Sequence, residues 1–368
     1  MTRLNFYGDV CLQGIDGSRF EVDPALVELA RRAALNVANL ESPLTRSTEP
    51  MPYKSVHIKA EPERSWLFDL FDTFSLANNH VLDYREDGLL ETMRFLDSAG
   101  KGHFGAGANR ASAAEPLRVE RDGQRFAFFG FCRWQNAGRA SPGTAPDRIG
   151  RIARAVRRAS EDGYFVVVYP HWNYEYIDYP APANRRVAKR LIDAGAHLVV
   201  GSHPHVVQGF ERHRGRMIYH SLGNFVFDFG LYSEKERQDP RIFETFVLSV
   251  DVRPDRTYET TLAPARTSIH GVERLRGDAA ERLLARLETI SRVLENDARA
   301  TRSFYESATR EASKVEQEMG TMIRSQGIMY LLSRLHRVRM QDLKIKLHTM
   351  RKRRREQRVD VSAGGPSC

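Results

Sequence analysis

The sequence predicts an α/β sandwich that passes, near residue 270, into a helical C-terminal region. Short apolar strand patterns alternate with helix-period patterns over most of the first 270 residues. After residue 200 the strand patterns follow one another, and from Asp278 onward the periodicity is almost wholly helical.

In chain order, Leu4 to Val10 reads as a strand, Pro24 to Ala34 as a helix and Leu35 to Leu40 as a second strand. Short strands are expected at Val56–Lys59 and Thr73–Ala77. A helix from Asp87 to Ser98 carries Leu89, Leu90, Met93 and Leu96 at helical spacing, and Gly100 stops it. Leu117–Glu120 and Arg125–Phe131 form a hairpin pattern across Asp122-Gly123. A helix from Asp147 to Glu161 leads into the apolar strand Phe165–Tyr169, and another from Ala183 to Ala194 leads into His197–Val200. Strands follow at Val207–Arg212, Arg216–Tyr219, Phe243–Val252 and Thr257–Ala263. Helices are expected at Asp278–Ala300, Ser303–Glu318 and Thr321–Arg355, with breaks or kinks at Gly320 and Gly327. The expected division is therefore 1–270, a helical extension 271–355, and a disordered tail 356–368.

Composition bounds the function. An apolar fraction of 41% over 368 residues excludes disorder of the whole chain. Cys11, Cys132 and Cys368 are too few and too scattered for a disulfide framework or a cysteine zinc site, which suits a reducing compartment. The opening residues carry no charged-then-apolar leader, so a cytoplasmic location is expected. The formal net charge is +9, and eleven basic against two acidic residues between Arg334 and Arg358 account for all of it. The rest of the chain is balanced.

The chemistry-bearing residues stand directly after strand patterns. Asp9 ends the first and Glu41 the second. Asn79 and His80 follow Phe74-Ser75-Leu76-Ala77, His171 follows the Val166–Tyr169 run, and His203 and His205 follow Leu198-Val199-Val200. In open α/β sheets ligands bind outside the carboxyl ends of strands. Each residue alone also fits a turn, cap or packing role; it is their joint occurrence in this order that points to a site. Carboxylate, amide and imidazole together suit one or two divalent ions, Mn, Fe, Zn or a harder cation. A bridging carboxylate would hold two such ions about 3.5–4 Å apart, leaving His80 to move a proton.

These residues lie in strings that resemble the CapA family of capsule and poly-γ-glutamate synthesis proteins, of the calcineurin-like metallophosphatase fold. The strings are Tyr7-Gly8-Asp9-Val10, Asn39-Leu40-Glu41-Ser42-Pro43-Leu44, Ala77-Asn78-Asn79-His80-Val81-Leu82-Asp83, Gly105-Ala106-Gly107, His171-Trp172-Asn173-Tyr174-Glu175-Tyr176, Gly201-Ser202-His203-Pro204-His205-Val206-Val207-Gln208 and Tyr219-His220-Ser221-Leu222-Gly223-Asn224-Phe225. They cover roughly residues 4 to 230 in family order. The resemblance implies a four-layer α/β/β/α sandwich. It implies Asp9, Glu41, Asn79, His171, His203 and His205 as metal ligands, His80 as catalytic acid/base with Asp83 orienting it, and Glu175 and Asn224 as supporting residues. Two departures stand out: Cys11 occupies the place where typical metallophosphatases have a His, and Asn173 stands where the family usually has Gly.

Three functions follow from the resemblance. The first is a metal-dependent enzyme of capsule or related polymer biosynthesis, with hydrolytic or transfer chemistry at a phosphate ester or amide bond. The second is a metal-dependent acid/base epimerase acting on a peptide. The third is a non-catalytic assembly component of a polymer-synthesis complex. The expected substrate is a polymer or a peptide. Separately, Met322, Ile323, Ile328, Leu331, Leu332, Leu335, Val338, Leu343, Leu347 and Met350 draw an apolar stripe opposite the basic residues of the last helix. That stripe fits packing on the body or in a homodimer, or contact of residues 321–358 with the inner membrane face. Nucleic acid is disfavoured because Arg351 to Arg355 has no interleaved aromatics.

Overall fold

The structure, a computed structural model, describes residues 1–326 apart from 53, 55, 64–68 and 233. The helical stretch expected beyond Gln326, its basic face and the tail lie outside the described residues. In chain order the first elements are β1 (Thr2–Val10), β2 (Glu21–Val22), α1 (Pro24–Arg31), β3 (Leu35–Leu40), β4 (Thr73–Ser75) and α2 (Arg85–Ser98). Next come β5 (Gly102–Phe104), β6 (Ala106–Gly107), α3 (Arg110–Ala114), β7 (Leu117–Arg121), β8 (Gln124–Cys132) and β9 (Gly143–Thr144). α4 (Ile149–Glu161), β10 (Phe165–His171), α5 (Pro182–Asp193), β11 (Leu198–Val200), β12 (Phe210–His213), β13 (Arg216–Tyr219) and β14 (Asn224–Val226) complete the central part. The chain then runs through α6 (Glu234–Arg237), β15 (Glu244–Val252), β16 (Tyr258–Ser268), β17 (Gly271–Arg274), α7 (Gly277–Leu294) and α8 (Asp297–Gln326).

Two sheets stack face to face. The larger has the order β2-β17-β16-β15-β1-β3-β4-β5, with β14 also paired to β1, and the smaller has the order β12-β13-β11-β10-β8-β7. Period-2 alternation explains the stacking. On β8, Phe126 and Phe128 face the inter-sheet layer while Ala127, Phe129 and Phe131 face outward; on β10, Val167 and Tyr169 point in and Val166 and Val168 out. Leu4, Phe6, Phe104, Phe246 and Leu248 meet them from the larger sheet. Each fully buried Phe contributes about 1.5–3 kcal/mol. Leu26 of α1 and Leu89 and Leu96 of α2 cover the outer side of the larger sheet, and Val156 of α4 and Ala188, Leu191 and Ile192 of α5 that of the smaller. The four-layer α/β/β/α sandwich is thus formed, and polar contacts join its two sheets, among them Tyr169 Oη donating to Tyr7 O at 2.7 Å and Tyr219 Oη donating to Thr260 Oγ1 at 2.9 Å.

Local signals account for most boundaries. Asp23 accepts from Ala25 N at 2.8 Å ahead of Pro24, an N-cap and a proline at the first helical position. α1 ends at Arg31, three residues before the expected end. Asp122 (φ 51°) and Gly123 (φ 71°) make the two-residue turn between β7 and β8.

Three expectations need correction. Val56–Lys59 is not a strand, because Ile58 N donates to Asp83 Oδ2 (2.8 Å) and Lys59 N to Gln13 Oε1 (3.0 Å), and backbone donors bound to side chains do not form a ladder. Only Ala60 makes a bridge there, to Leu44. The strand expected at Val207 starts at Phe210, whereas Val207 forms one isolated bridge with Leu222. In the C-terminal region the helix break falls at Asn296, whose Oδ1 accepts from Ala298 N and Arg299 N at 3.0 Å, and α8 continues through Ser303 and Gly320. Leu283 and Leu287 of α7 join the inter-sheet core. Among the described residues no helix is long and apolar enough to cross a membrane.

Candidate metal and acid/base site

The carboxyl ends of β1, β3 and β4 in the larger sheet and of β10 and β11 in the smaller sheet open onto one edge. Asp9, Glu41 and Asn79 come from the first group and are all oxygen donors. His171, His203 and His205 come from the second and are all imidazoles. Close backbone approach brings them together. A Cβ on Gly201 would sit 2.2 Å from His220 O and 2.4 Å from Trp172 Nε1, so only glycine fits. His203 (φ 99°) and His205 (φ 58°) both adopt positive φ, a cost of about 1–3 kcal/mol each. Such strain is typical of functional sites.

Glu41, His203 and His205 form the tightest group, with one potential ligand atom from each within 4.8 Å of the others, all three buried. Glu41 Oε1 lies 3.8 Å from His205 Nε2 and 4.0 Å from His80 Nε2 and has no hydrogen-bond partner. His203 Nδ1 is likewise buried without a partner. Asp9 Oδ2 accepts from His203 N at 3.2 Å and is 3.7 Å from His205 Nδ1. His171 Nε2 is 2.8 Å from Asn79 Oδ1, its Nδ1 is 3.0 Å from Ser202 Oγ, and its ring is 4.7 Å from that of His203. All six expected ligands therefore lie at one edge. His205 Nδ1 is 2.9 Å from Asn224 Oδ1, whose amide in turn donates to Tyr232 Oη (3.1 Å). Glu175 is half exposed at the rim, with Oε1 4.0 Å from His203 Nε2.

The electrostatics run against the ordinary charge states. Burial, reinforced by Asp9 and Glu175, raises the Glu41 carboxyl well above the usual range, and burial also raises Asp9. Burial and the neighbouring imidazoles push His171 and His203 well below the ordinary histidine value. Neutral imidazoles and destabilised carboxylates gathered this closely form a site whose charge a cation would complete. The unpartnered Glu41 Oε1 and His203 Nδ1 and the mixed oxygen and nitrogen donors fit a divalent ion.

His80 occupies the flank. Its Nδ1 is 2.7 Å from Asp83 Oδ2 and 3.0 Å from Lys54 Nζ, which turns Nε2 toward Glu41. Burial and then the Lys54 charge lower its pKa to about 4. Lys54 also bonds Asp83 and donates to Asn79 O at 2.8 Å. Burial alone would raise the Asp83 pKa, but His80 and Lys54 together hold it low.

Sequence reasoning missed Lys54, which sits in a loop without periodicity. It also missed Asn39, which donates to Asp9 Oδ1 (2.8 Å) and Glu41 Oε2 (3.3 Å), and Asn78, which donates to Leu40 O (2.7 Å). The available signal was that both asparagines lie in the same strings as the ligands. The two departures also have physical readings. Cys11 is fully buried, with its thiol pushed up by burial, and packs with Ile58 and Phe227. Asn173 has φ 71°, a conformation glycine and asparagine tolerate. Its side chain accepts from Ala181 N (3.0 Å) and donates to Gln208 Oε1 (3.1 Å), tying this loop to the start of α5.

Residues 3–229 match the family described as "Bacterial capsule synthesis protein PGA_cap". The chain is 34% identical to the capsule biosynthesis protein CapA of Bacillus anthracis over 50% of its own length and 47% of that protein's. It is 33% identical to the PGA biosynthesis protein CapA of Bacillus subtilis over 55% and 56%. It thus spans about half the length of these two relatives. Among solved structures, a hypothetical protein from Thermus thermophilus aligns with a TM-score of 0.45 at 17% identity, over 72% of this chain and 99% of that one. Over half of the sequence matches the family model and includes every candidate ligand, and the chain belongs to the PGA_cap family of bacterial capsule synthesis proteins.

Proposed function

We propose that the chain is a metal-dependent enzyme of capsule or related extracellular polymer biosynthesis, poly-γ-glutamate or polysaccharide, with hydrolytic or transfer chemistry at a phosphate ester or amide bond. The supporting observation is the unpartnered, fully buried Glu41 Oε1 facing two imidazole nitrogens. Asp9, Glu41 and Asn79 would hold one or two divalent ions from the oxygen side, and His171, His203 and His205 from the other. When bound, such ions supply Lewis acidity and lower the pKa of a coordinated water. His80 gives or takes a proton at Nε2, the ring nitrogen facing the pocket, while Asp83 and Lys54 fix the ring through Nδ1. The half-exposed Glu175 and the Arg133–Trp134 pair (4.6 Å from guanidinium to ring centroid) border the opening through which a polymer would reach these groups.

The test pairs metal analysis with polymer output. Purified protein is expected to carry about one or two equivalents of divalent metal, and His203→Ala to lose most of it. Cells carrying only His80→Ala or His203→Ala are expected to lose the polymer. Metal-free wild-type protein, together with normal polymer from both variants, overturns the reading.

A further inference from the structure

We propose that the outer face of α4 and α5 binds an extended polycarboxylate chain. α4 is strongly two-sided. Ile152, Val156 and Ala159 turn toward the sheet, while Arg148, Arg151, Arg154, Arg157 and Arg158 are either exposed along the helix or, for Arg148, exposed at its N-cap. On the neighbouring α5, Arg186 and Arg190 are exposed one turn apart, and Arg190 Nη2 lies 4.0 Å from where a Cβ on Gly150 would be, over the first turn of α4. Among the described residues none of these arginine side chains makes an ion pair or hydrogen bond. Two exposed arginines elsewhere, Arg32 and Arg292, are by contrast paired along their own helices with Glu28 and Glu288. The only acid of α4 is Glu161, at its end.

This arrangement opposes helix stability. Arg151–Arg154 and Arg154–Arg157 at i,i+3, and Arg154–Arg158 and Arg186–Arg190 at i,i+4, are like-charge pairs. Arg148 and Arg151 stand at the positive end of the helix dipole. An unpaired cationic stripe kept at that cost fits a polyanion. Guanidinium forks pair with carboxylates two bonds at a time. From Arg148 to Arg158 the helix rises about 15 Å, the length of about four residues of an extended chain. No aromatic residue lies among the arginines of α4 to stack bases. Among the described residues the large exposed hydrophobics, Met1, Val56, Ile269 and Leu284, lie on elements other than α4 and α5, so this face presents no described apolar side chain to lipid. The stripe begins at the edge that carries the site, because Pro146, just ahead of α4, pairs with Cys132, the residue before Arg133.

The surface does not depend on the metal chemistry proposed above; only the choice of polyglutamate as probe rests on that reading. The basic segment 334–358 has its own affinity for anions, so the readout is local. In the full-length protein at low salt, polyglutamate is expected to protect Arg151, Arg154 and Arg158 from phenylglyoxal about fivefold or more. R151Q/R154Q/R158Q is expected to weaken binding about tenfold, with the effect fading as salt screens it. R186Q/R190Q provides the second variant if the triple fails to fold. His203→Ala is expected to bind as the wild type does. Protection confined to Arg334–Arg358 overturns the proposal. So does binding lost in His203→Ala but kept in the arginine variants, which would place the polymer at the metal site and leave the metal reading standing. Equal protection by anionic vesicles or oligothymidylate overturns the assignment to a polycarboxylate.

Discussion

Two buried glutamates in this molecule have opposite surroundings. Glu211, on β12, accepts from Arg185 Nε (3.1 Å) and Nη2 (2.8 Å), pairs with Lys189 Nζ at 3.3 Å and lies 2.9 Å from His220 Nε2. Burial alone would raise its pKa, but the His220 and Arg185 hydrogen bonds hold it far below the usual carboxylate range. Glu41 has three carboxylates, Asp9, Glu175 and Asp83, and neutral imidazoles around it, one oxygen without a partner, and a pKa that burial and those carboxylates raise well above normal against the opposing charge of Lys54. A buried carboxylate that the chain pairs with its own cations is a structural joint. One that the chain leaves unpaired among further potential ligands has the surroundings expected of a receptor for a charge from outside.

The comparison can be broken most decisively at Glu41. Glu41→Gln keeps the shape of the side chain but removes the ligand charge, and the metal affinity measured by competition with a chelator is expected to fall by more than about a hundredfold, beyond the range seen for outer residues of metal sites. Unchanged affinity would make Glu41 as structural as Glu211. The next effect is on folding. Glu211→Gln leaves Arg185 and Lys189 facing a neutral amide, and urea unfolding is expected to show a loss of about 3–5 kcal/mol.

The pH dependence sharpens the same contrast. Because the folded pKa of Glu211 is depressed, its contribution is present above the unfolded value of about 4.3 and is lost as pH falls below it. Wild-type protein is therefore expected to lose stability on acidification below about pH 5 more steeply than Glu211→Gln. Parallel curves would deny Glu211 its role. The smallest effect is Glu41→Gln in chelator, expected to stabilise the metal-free chain by about 1 kcal/mol, since it removes a desolvated acid. Substantial destabilisation there would mean that Glu41 is already satisfied.

The placing of the candidate ligands at one edge was legible in the sequence because each stands at or after an apolar run that ends a strand, and strand ends of one sheet share an edge. Lys54 was not legible, since what brings it to His80 is the path of an irregular loop. The unpaired state of Glu41 was hidden as well, since burial and the placing of neighbouring charges are tertiary facts. The strand misread at Val56–Lys59 shows the same limit, because alternation cannot reveal that Asp83 and Gln13 claim the backbone donors. The break at Asn296 was readable in principle as an asparagine cap ahead of Asp297, but helical periodicity on both sides obscured it.

The division of the site between the two sheets has a consequence for biogenesis. Its oxygen donors are complete once residue 79 has been synthesised, whereas its imidazoles end at residue 205. No shorter nascent chain holds both halves. Residues 124–171 build two central strands of the second sheet between them, so an ion that needed both donor types would enter only after the sheets had closed on one another. Metal loading would then act as a checkpoint on sheet docking, and the ion, as a tether between positions about 160 residues apart in sequence, would hold that closure in place.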